Sequence, residues 1–475
     1  MQSTGPMGPV SVSAAILLLV TAPLLRGGNR EVALIVLEWL SIGFLFSVLL
    51  RLAVAAGAPG NRWRTAWRPG HRSERVLLAI LLLSPAWLSL VYLTPLPANW
   101  WSNMPGRALY SQLMAGAAVP IGAHMPLSLV QSATTASLLA GIPLVAAFLA
   151  GYASRFSQLK LILAVVAGMA FLEVLFGLLQ ASGGSASPLY FTQEFAGRPF
   201  GTFGNTNHFA NYVGMALVTY IWLAWQSNAK SDGSWSNNAP SRLSGTHMQV
   251  LWIAGGLVLA LGVLMSFSRG AAASVLPAGA VAAGVALLAT GTAKSWRTSA
   301  LILGGLLLVV IALVGAGTLL SRFDLTKLSA DASFRSLLAS STLAGAKEFW
   351  PWGAGWGTYA DVYPKFQPVT IDGYAEHAHE DYAQLLFEGG AFALVLGCAF
   401  LWLATKRFVV LIRAGWGDTP LTETQMAASL CGIGLLGFML HSFVEFNMHI
   451  PANAILAALL AGAYLRPLRT TGVPK

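Results

Sequence analysis

Two histidines and three carboxylates occupy the six residues Glu376-His377-Ala378-His379-Glu380-Asp381, just before an apolar run that starts near residue 385. Only 10% of the chain is charged. A cluster of titratable groups at the lip of an apolar segment is therefore the first place to look for chemistry. An imidazole that titrates near neutrality suits general-base work. Glu376, Glu380 or Glu388 stands near enough in sequence to orient its second nitrogen. His377 and His379, two apart, suit a metal in a strand but not on a helix, and no third ligand stands nearby, so no catalytic metal is expected. The plainer reading of an isolated histidine here is a cap on the helix that follows.

Other polar stretches carry compatible groups. The loop Gly197-Arg198-Pro199-Phe200-Gly201-Thr202-Phe203-Gly204-Asn205-Thr206-Asn207-His208 has glycines for tight turns and an Asn-Thr-Asn-His run that caps a following helix. Free N–H groups at such a helix start, with Arg198, suit a phosphate. No Gly-Lys-Ser/Thr follows, so this is not a P-loop. Its bland alternative is a capped turn with Arg198 among lipid headgroups. Ser266-Phe267-Ser268-Arg269-Gly270 breaks an otherwise apolar stretch, and an arginine there costs several kcal/mol unless paired or wet. It reads as a guanidinium fork for a diphosphate, against the alternative of a simple hairpin turn. Arg322, Arg335 and Lys347 precede Trp350-Pro351-Trp352-Gly353-Ala354-Gly355-Trp356, whose rings either stack on sugars or serve as an interfacial belt.

The elements that must position these groups are membrane spans. The chain has 475 residues, 56% hydrophobic, with mean hydropathy +0.65, and its repeated apolar runs are long enough to cross a bilayer. About twelve spans are expected, near 10–25, 32–50, 76–93, 134–152, 159–179, 208–225, 250–266, 271–288, 299–320, 385–404, 426–444 and 453–465. The whole chain, 1–475, then forms a single integral membrane domain of all-α, polytopic class. Val10–Leu25 has no basic residue before it and is expected as a retained first span rather than a cleaved signal. Cys398 and Cys431 fall inside apolar runs and read as packed thiols.

Net charge is +10, but the basic residues gather in alternate loops, such as Arg51–Arg75, Lys406–Arg413 and Arg466–Lys475. That is the positive-inside pattern, not a nucleic-acid surface. It places both termini in the cytoplasm of a bacterial inner membrane. The segment 321–382, between the ninth and tenth spans, then forms a larger periplasmic loop, and 227–246 a flexible cytoplasmic loop. The clusters at Gly197–His208, Ser266–Gly270, 376–382 and His441–His449 all fall on the periplasmic side.

Taken in order, these motifs resemble the O-antigen ligase (Wzy_C) family. His379-Glu380, nine residues and Gly390 match its signature, with Glu380 where the family has a neutral polar residue. Arg198 with Gly201–His208 resembles its Arg…Gly-Thr-Phe-Gly-Asn segment, with Thr206 in place of Pro. Ser268-Arg269-Gly270, Arg335 with Gly353-Ala354-Gly355, and His441-Ser442-Phe443-Val444-Glu445-Phe446…His449-Ile450-Pro451 match further stretches. The resemblance implies a GT-C-like, metal-independent and inverting glycosyltransferase with no cofactor. Its donor would be an undecaprenyl-diphosphate-linked glycan and its acceptor lipid A-core or a growing glycan. It implies that His379 is the base and that Arg198, Arg269 and Arg335 bind the diphosphate. Asn205, Asn207, His208, His377, Glu380, Asp381, His441 and Glu445 would support them.

Ligase-type transfer is the leading expectation, with an O-antigen or exopolysaccharide polymerase as the alternative. A polysaccharide exporter or lipid flippase is the reading from another class. It needs polar groups at the membrane midplane, where only Glu38 and Glu173 are found.

Overall fold

The computed structural model describes residues 7–56, 72–117, 122–229, 245–289, 325–416 and 420–468. The apolar runs become helices because a backbone in hydrocarbon must satisfy its own polar groups. In order these are α1 (Pro9–Leu24), α2 (Glu31–Ala56), α3 (Arg72–Leu82), α4 (Ser84–Leu93), α5 (Ala98–Ser102), α6 (Ala108–Gly116), α7 (Gln131–Ala153) and α8 (Phe156–Ser182). There follow α9 (Thr206–Ala229), α10 (Gly245–Met265), α11 (Arg269–Ala289), α12 (Leu325–Glu348), α13 (Tyr359–Val362), α14 (Asp381–Gly415), α15 (Glu423–His441) and α16 (Pro451–Leu465). A short antiparallel pair, β1 (Pro95–Pro97) with β2 (His124–Pro126), is the one sheet among the described residues.

Among the described residues seven helices are long and apolar enough to cross a membrane, or eight if α3 and α4, bent by 61°, form one broken span. Pro85 stands at that bend and cannot donate to the preceding turn. Along α2, Val32, Ile35, Trp39, Ile42, Phe46 and Leu49 are exposed at helical spacing, as a lipid-facing stripe requires. The chain is an all-α polytopic membrane protein. The ninth expected span, 299–320, and residues 230–244 of the expected cytoplasmic loop lie outside the described residues.

The core centres on α9, whose Phe209, Tyr212, Val213, Met215 and Trp222 are buried, and which packs on α8, α10, α11 and α15. Helices α7 and α16 meet backbone to backbone. A Cβ on Gly151 would stand 2.2 Å from the Leu459 carbonyl oxygen, and one on Gly462 would stand 2.1 Å from that of Phe148. Small residues at a helix crossing let main chains approach in this way.

The segment expected as a loop over 321–382 is not irregular throughout, since α12 occupies 24 residues of it and packs against α14. The part after α12 wraps the start of α14, which is broken at Gly390 (φ +50°, ψ −132°). The turn at Pro351–Gly355 pairs with the groups the break releases: Ala354 N donates to Phe387 O (2.9 Å), Gly355 N to Glu388 O (3.0 Å), and Ala391 N to Pro351 O (2.8 Å). The approach is so close that a Cβ on Gly353 would lie 2.2 Å from Glu388 O. That contact is the physical reason for the Gly353-Ala354-Gly355 sequence. Arg107 ties this turn to the β1–β2 region by donating to Leu127 O (2.8 Å) and Gly353 O (3.0 Å).

Candidate active site

The loop between α15 and α16, Ser442–Ile450, lies against the N-terminal ends of α9 and α14. Asn205 caps α9, its Oδ1 accepting from Asn207 N at 2.8 Å. Ser268 caps α11, its Oγ accepting from Ala271 N at 3.3 Å. Glu380 caps α14, accepting from Tyr382 N (3.2 Å) and Ala383 N (2.6 Å). This accounts for Glu380 standing where a neutral polar residue was expected: the position requires an acceptor for helix N–H groups, and a carboxylate serves.

Between these helix starts, His379 is held by a carboxylate. Its Nδ1 lies 2.9 Å from Glu445 Oε1. The other oxygen of Glu445 accepts from Asn207 Nδ2 and pairs with Arg335 at 3.4 Å. Glu445 is fully buried, while the His379 side chain is 32% exposed. Among the described residues Nε2 of His379 has no hydrogen-bond partner. Burial alone would raise the Glu445 pKa, but the hydrogen bond with His379 and the coulombic effects of His379, His208 and Arg335 outweigh it. The carboxyl is held well below its ordinary range and stays ionised. His379 adopts φ +51°, uncommon for a side-chain-bearing residue. Its neighbours fix that geometry: Ala378 N donates to Gln384 Oε1 (3.1 Å) and Asp381 N to Ser442 O (2.9 Å).

The orienting carboxylate is thus Glu445, not one of the three expected from sequence proximity. Glu380 is occupied as a cap. Glu388 is buried and accepts from Gly357 N (2.9 Å) and Tyr359 N (3.2 Å). Glu376 is exposed on the wall of a neighbouring recess.

His208, His377 and His441 cluster around this pair. The His208 Nδ1 and Asn447 Oδ1 atoms are 3.1 Å apart. The Phe446 ring is shared by three histidines, with centroids 4.6 Å from His208, 4.4 Å from His377 and 4.7 Å from His379. Burial, then the neighbouring His449 and His208, push the His377 pKa well down, so it is neutral near pH 7. His441 Nδ1 lies 3.2 Å from Asn211 Oδ1 on α9. A Cβ on Gly270 would fall 2.8 Å from His441 Nε2, so the Ser-Arg-Gly turn needs its glycine to seat α11 against α15. Arg269 opens α11 at that contact. Arg335, expected on the diphosphate, is paired with Glu445. Arg198 lies with its guanidinium 5.5 Å from the ring of Phe195, a residue that lines the neighbouring recess.

Asp381, expected among the supporting residues, holds the α15–α16 loop, its Oδ1 2.8 Å from His449 Nδ1 and its Oδ2 accepting from Met448 N at 2.9 Å. Sequence reasoning missed several participants. Gln384 Nε2 meets His449 Nε2 at 3.1 Å. Asn447, Phe446 and Asn211 are also part of the cluster. For Asn447 the signal was the density of polar residues after His441, which marks a site but not its pairings. Glu173, counted as a midplane carboxylate, anchors the Gly201-Thr202 turn instead, accepting from Thr202 N (2.8 Å) and Thr202 Oγ1 (2.7 Å).

A polytopic helical membrane protein with a histidine–carboxylate pair and arginines at one end of its bundle is the class so defined. Residues 254–398 match the family model described as O-Antigen ligase (Wzy_C), so the resemblance read from the motifs is supported over that stretch. The matched residues include His379, Arg269 and Arg335, whereas Asn207 and Glu445 lie outside them. No curated protein matches the chain.

Proposed function

We propose that this protein transfers a glycan from undecaprenyl diphosphate to an acceptor hydroxyl on lipid A-core, at the periplasmic face of a bacterial inner membrane. The observation that carries the reading is the His379–Glu445 pair: one imidazole nitrogen fixed on a buried, ionised carboxylate, the other without a partner among the described residues, on a partly exposed side chain. Such an arrangement sets the tautomer and leaves Nε2 to accept a proton. The acceptor oxygen attacks the sugar C1 while its proton passes to His379. The C1–O bond to the diphosphate breaks, and undecaprenyl diphosphate departs with the electron pair. Its developing charge is met by Arg269, Arg198 and, once released from Glu445, Arg335. Attack opposite the leaving group inverts the anomeric centre, and none of these steps calls for a nucleotide or a metal.

The test is transfer by purified protein supplied with undecaprenyl-diphosphate-linked glycan and lipid A-core. Wild type should give glycosylated core and His379→Ala none. Elongated lipid-linked glycan with the core untouched would place the protein in the polymerase branch. Normal transfer by the variant would remove His379 as the base.

A further inference from the structure

A recess of about 200 Å³ opens beside the histidine cluster, lined in part by Arg26, Arg30, Phe191, Glu194, Glu376 and Phe446. Of these only Glu376 falls within the family-matched residues 254–398. The recess is smaller than the roughly 300–1,000 Å³ usual for drug-sized ligands, so it takes one ring, not a chain. Its charged groups are two arginines and two glutamates. A phosphate would meet both carboxylates, whereas a neutral polyol uses the guanidiniums as donors to its oxygens and the carboxylates as acceptors of its hydroxyls. The Phe191 and Phe446 rings supply apolar surface for the C–H face of such a ligand.

The α1–α2 turn that carries the arginines is fixed at some cost. Arg26, Gly27 and Gly28 are all left-handed (φ +56°, +66° and +80°). A Cβ on Gly27 would stand 2.8 Å from the Phe203 ring, and one on Gly28 would stand 2.7 Å from Pro451, so the turn is wedged between the α9 approach and the start of α16. A side-chain-bearing residue held in that conformation marks a place where the fold over-determines geometry. Its guanidinium is aimed accordingly, lying 4.5 Å from the Phe191 ring centroid and donating to Phe191 O at 3.4 Å. Phe446 separates the recess from the site by one ring, since the same side chain touches His379 and His377. His208 also contributes to the wall, and its buried Nε2 has no partner among the described residues.

We infer that this recess is a pyranose subsite, with Arg26, Arg30, Glu194 and Glu376 gripping the hydroxyls of a sugar ring whose apolar face rests on Phe191 and Phe446. The inference builds on the transfer reaction proposed above. Its ligand is either the terminal sugar of the acceptor or the sugar next to the donor's diphosphate.

The experiment is saturation-transfer NMR on the full-length protein in detergent. Two probes serve: core oligosaccharide released by mild acid from the host lipopolysaccharide, and the glycan released likewise from the lipid-linked donor. The variants are Arg26→Ala, Arg30→Gln and Glu376→Gln. Arg30 and Glu376 are exposed, so their replacement leaves the fold intact even if Arg26→Ala does not fold. Loss of about tenfold in affinity for one probe only, the effect of one charge-assisted hydrogen bond, assigns the subsite to that probe's parent. The KM for the same substrate should rise with kcat little changed. Unchanged binding of both saccharides in the two exposed variants overturns the subsite. So does binding of inorganic diphosphate that those variants abolish while saccharide binding persists. Because the readout is binding, it stands apart from catalysis. Transfer retained by His379→Ala would defeat the reaction scheme and not the subsite, and unaltered saccharide binding would do the reverse.

Discussion

Two histidines in this cluster make nearly the same bond in different surroundings. His379 Nδ1 meets Glu445 at 2.9 Å, and His449 Nδ1 meets Asp381 at 2.8 Å; both carboxylates are fully buried. The second pair is closed. Asp381 also holds Met448 N, and the remaining His449 nitrogen lies against Gln384, so the unit pins the α15–α16 loop to the start of α14. The first pair is open, with Nε2 of His379 unpartnered among the described residues, its backbone in an uncommon region, and Glu445 shared with Asn207 and Arg335. A histidine–carboxylate pair is therefore not itself a sign of catalysis. What distinguishes a working pair is the unoccupied second nitrogen.

The largest effect should come from His379→Ala, which removes the proposed base and is expected to lower kcat by about 10²–10⁴-fold with the protein still folded, as read by transfer assay and detergent size-exclusion. His449→Gln at the closed pair should leave most of the activity, and equal losses from the two variants would erase the distinction drawn here. Glu445→Gln comes next, at about 10²-fold in kcat, because the amide no longer fixes the tautomer or stabilises the imidazolium. Arg269→Lys should raise the donor KM by about tenfold, since a point charge cannot reproduce the guanidinium fork; an unaltered donor KM would take Arg269 off the diphosphate.

Asp381→Asn should act on the fold rather than the reaction. Breaking a buried pair costs about 3–5 kcal/mol, seen as a lower melting temperature, with a smaller change in kcat than at Glu445. The smallest effect concerns pH. A carboxyl whose folded pKa lies below its unfolded value of about 4.3 contributes stability above that value and loses it as pH falls through the folded one. Glu445 is such a group. The stability gap between wild type and Glu445→Gln should be constant near neutrality and shrink below about pH 4; a gap that widens on acidification would contradict the ionised state assigned to Glu445.

Much of the fold was legible because it is set locally. A stretch such as 159–179 is helical and membrane-spanning by composition alone, since hydrocarbon leaves the backbone no other way to pair. The start of α9 was legible for the same reason: Asn205, in the Asn-Thr-Asn-His run, does what a short polar side chain does before an apolar run. The α12 helix was not legible, as its low apolar content leaves no period to read, and its place is set by contact with α14. In the site, His379 stood out by its surroundings in sequence. Its partner did not, because Glu445 arrives from 66 residues further along the chain.

The amino-acid sequence by itself determined an all-α membrane protein, the polar clusters between its spans, and the histidine on which they centre. Those are consequences of composition and spacing, which act over a few turns of chain. Only the tertiary structure decided which carboxylate orients His379, that Asp381 belongs to a different histidine, and that Glu380 and Glu173 hold helix and turn backbones. The reason is that a hydrogen bond is chosen within about 3 Å, and that distance is fixed by how α9, α14 and the α15–α16 loop pack against one another.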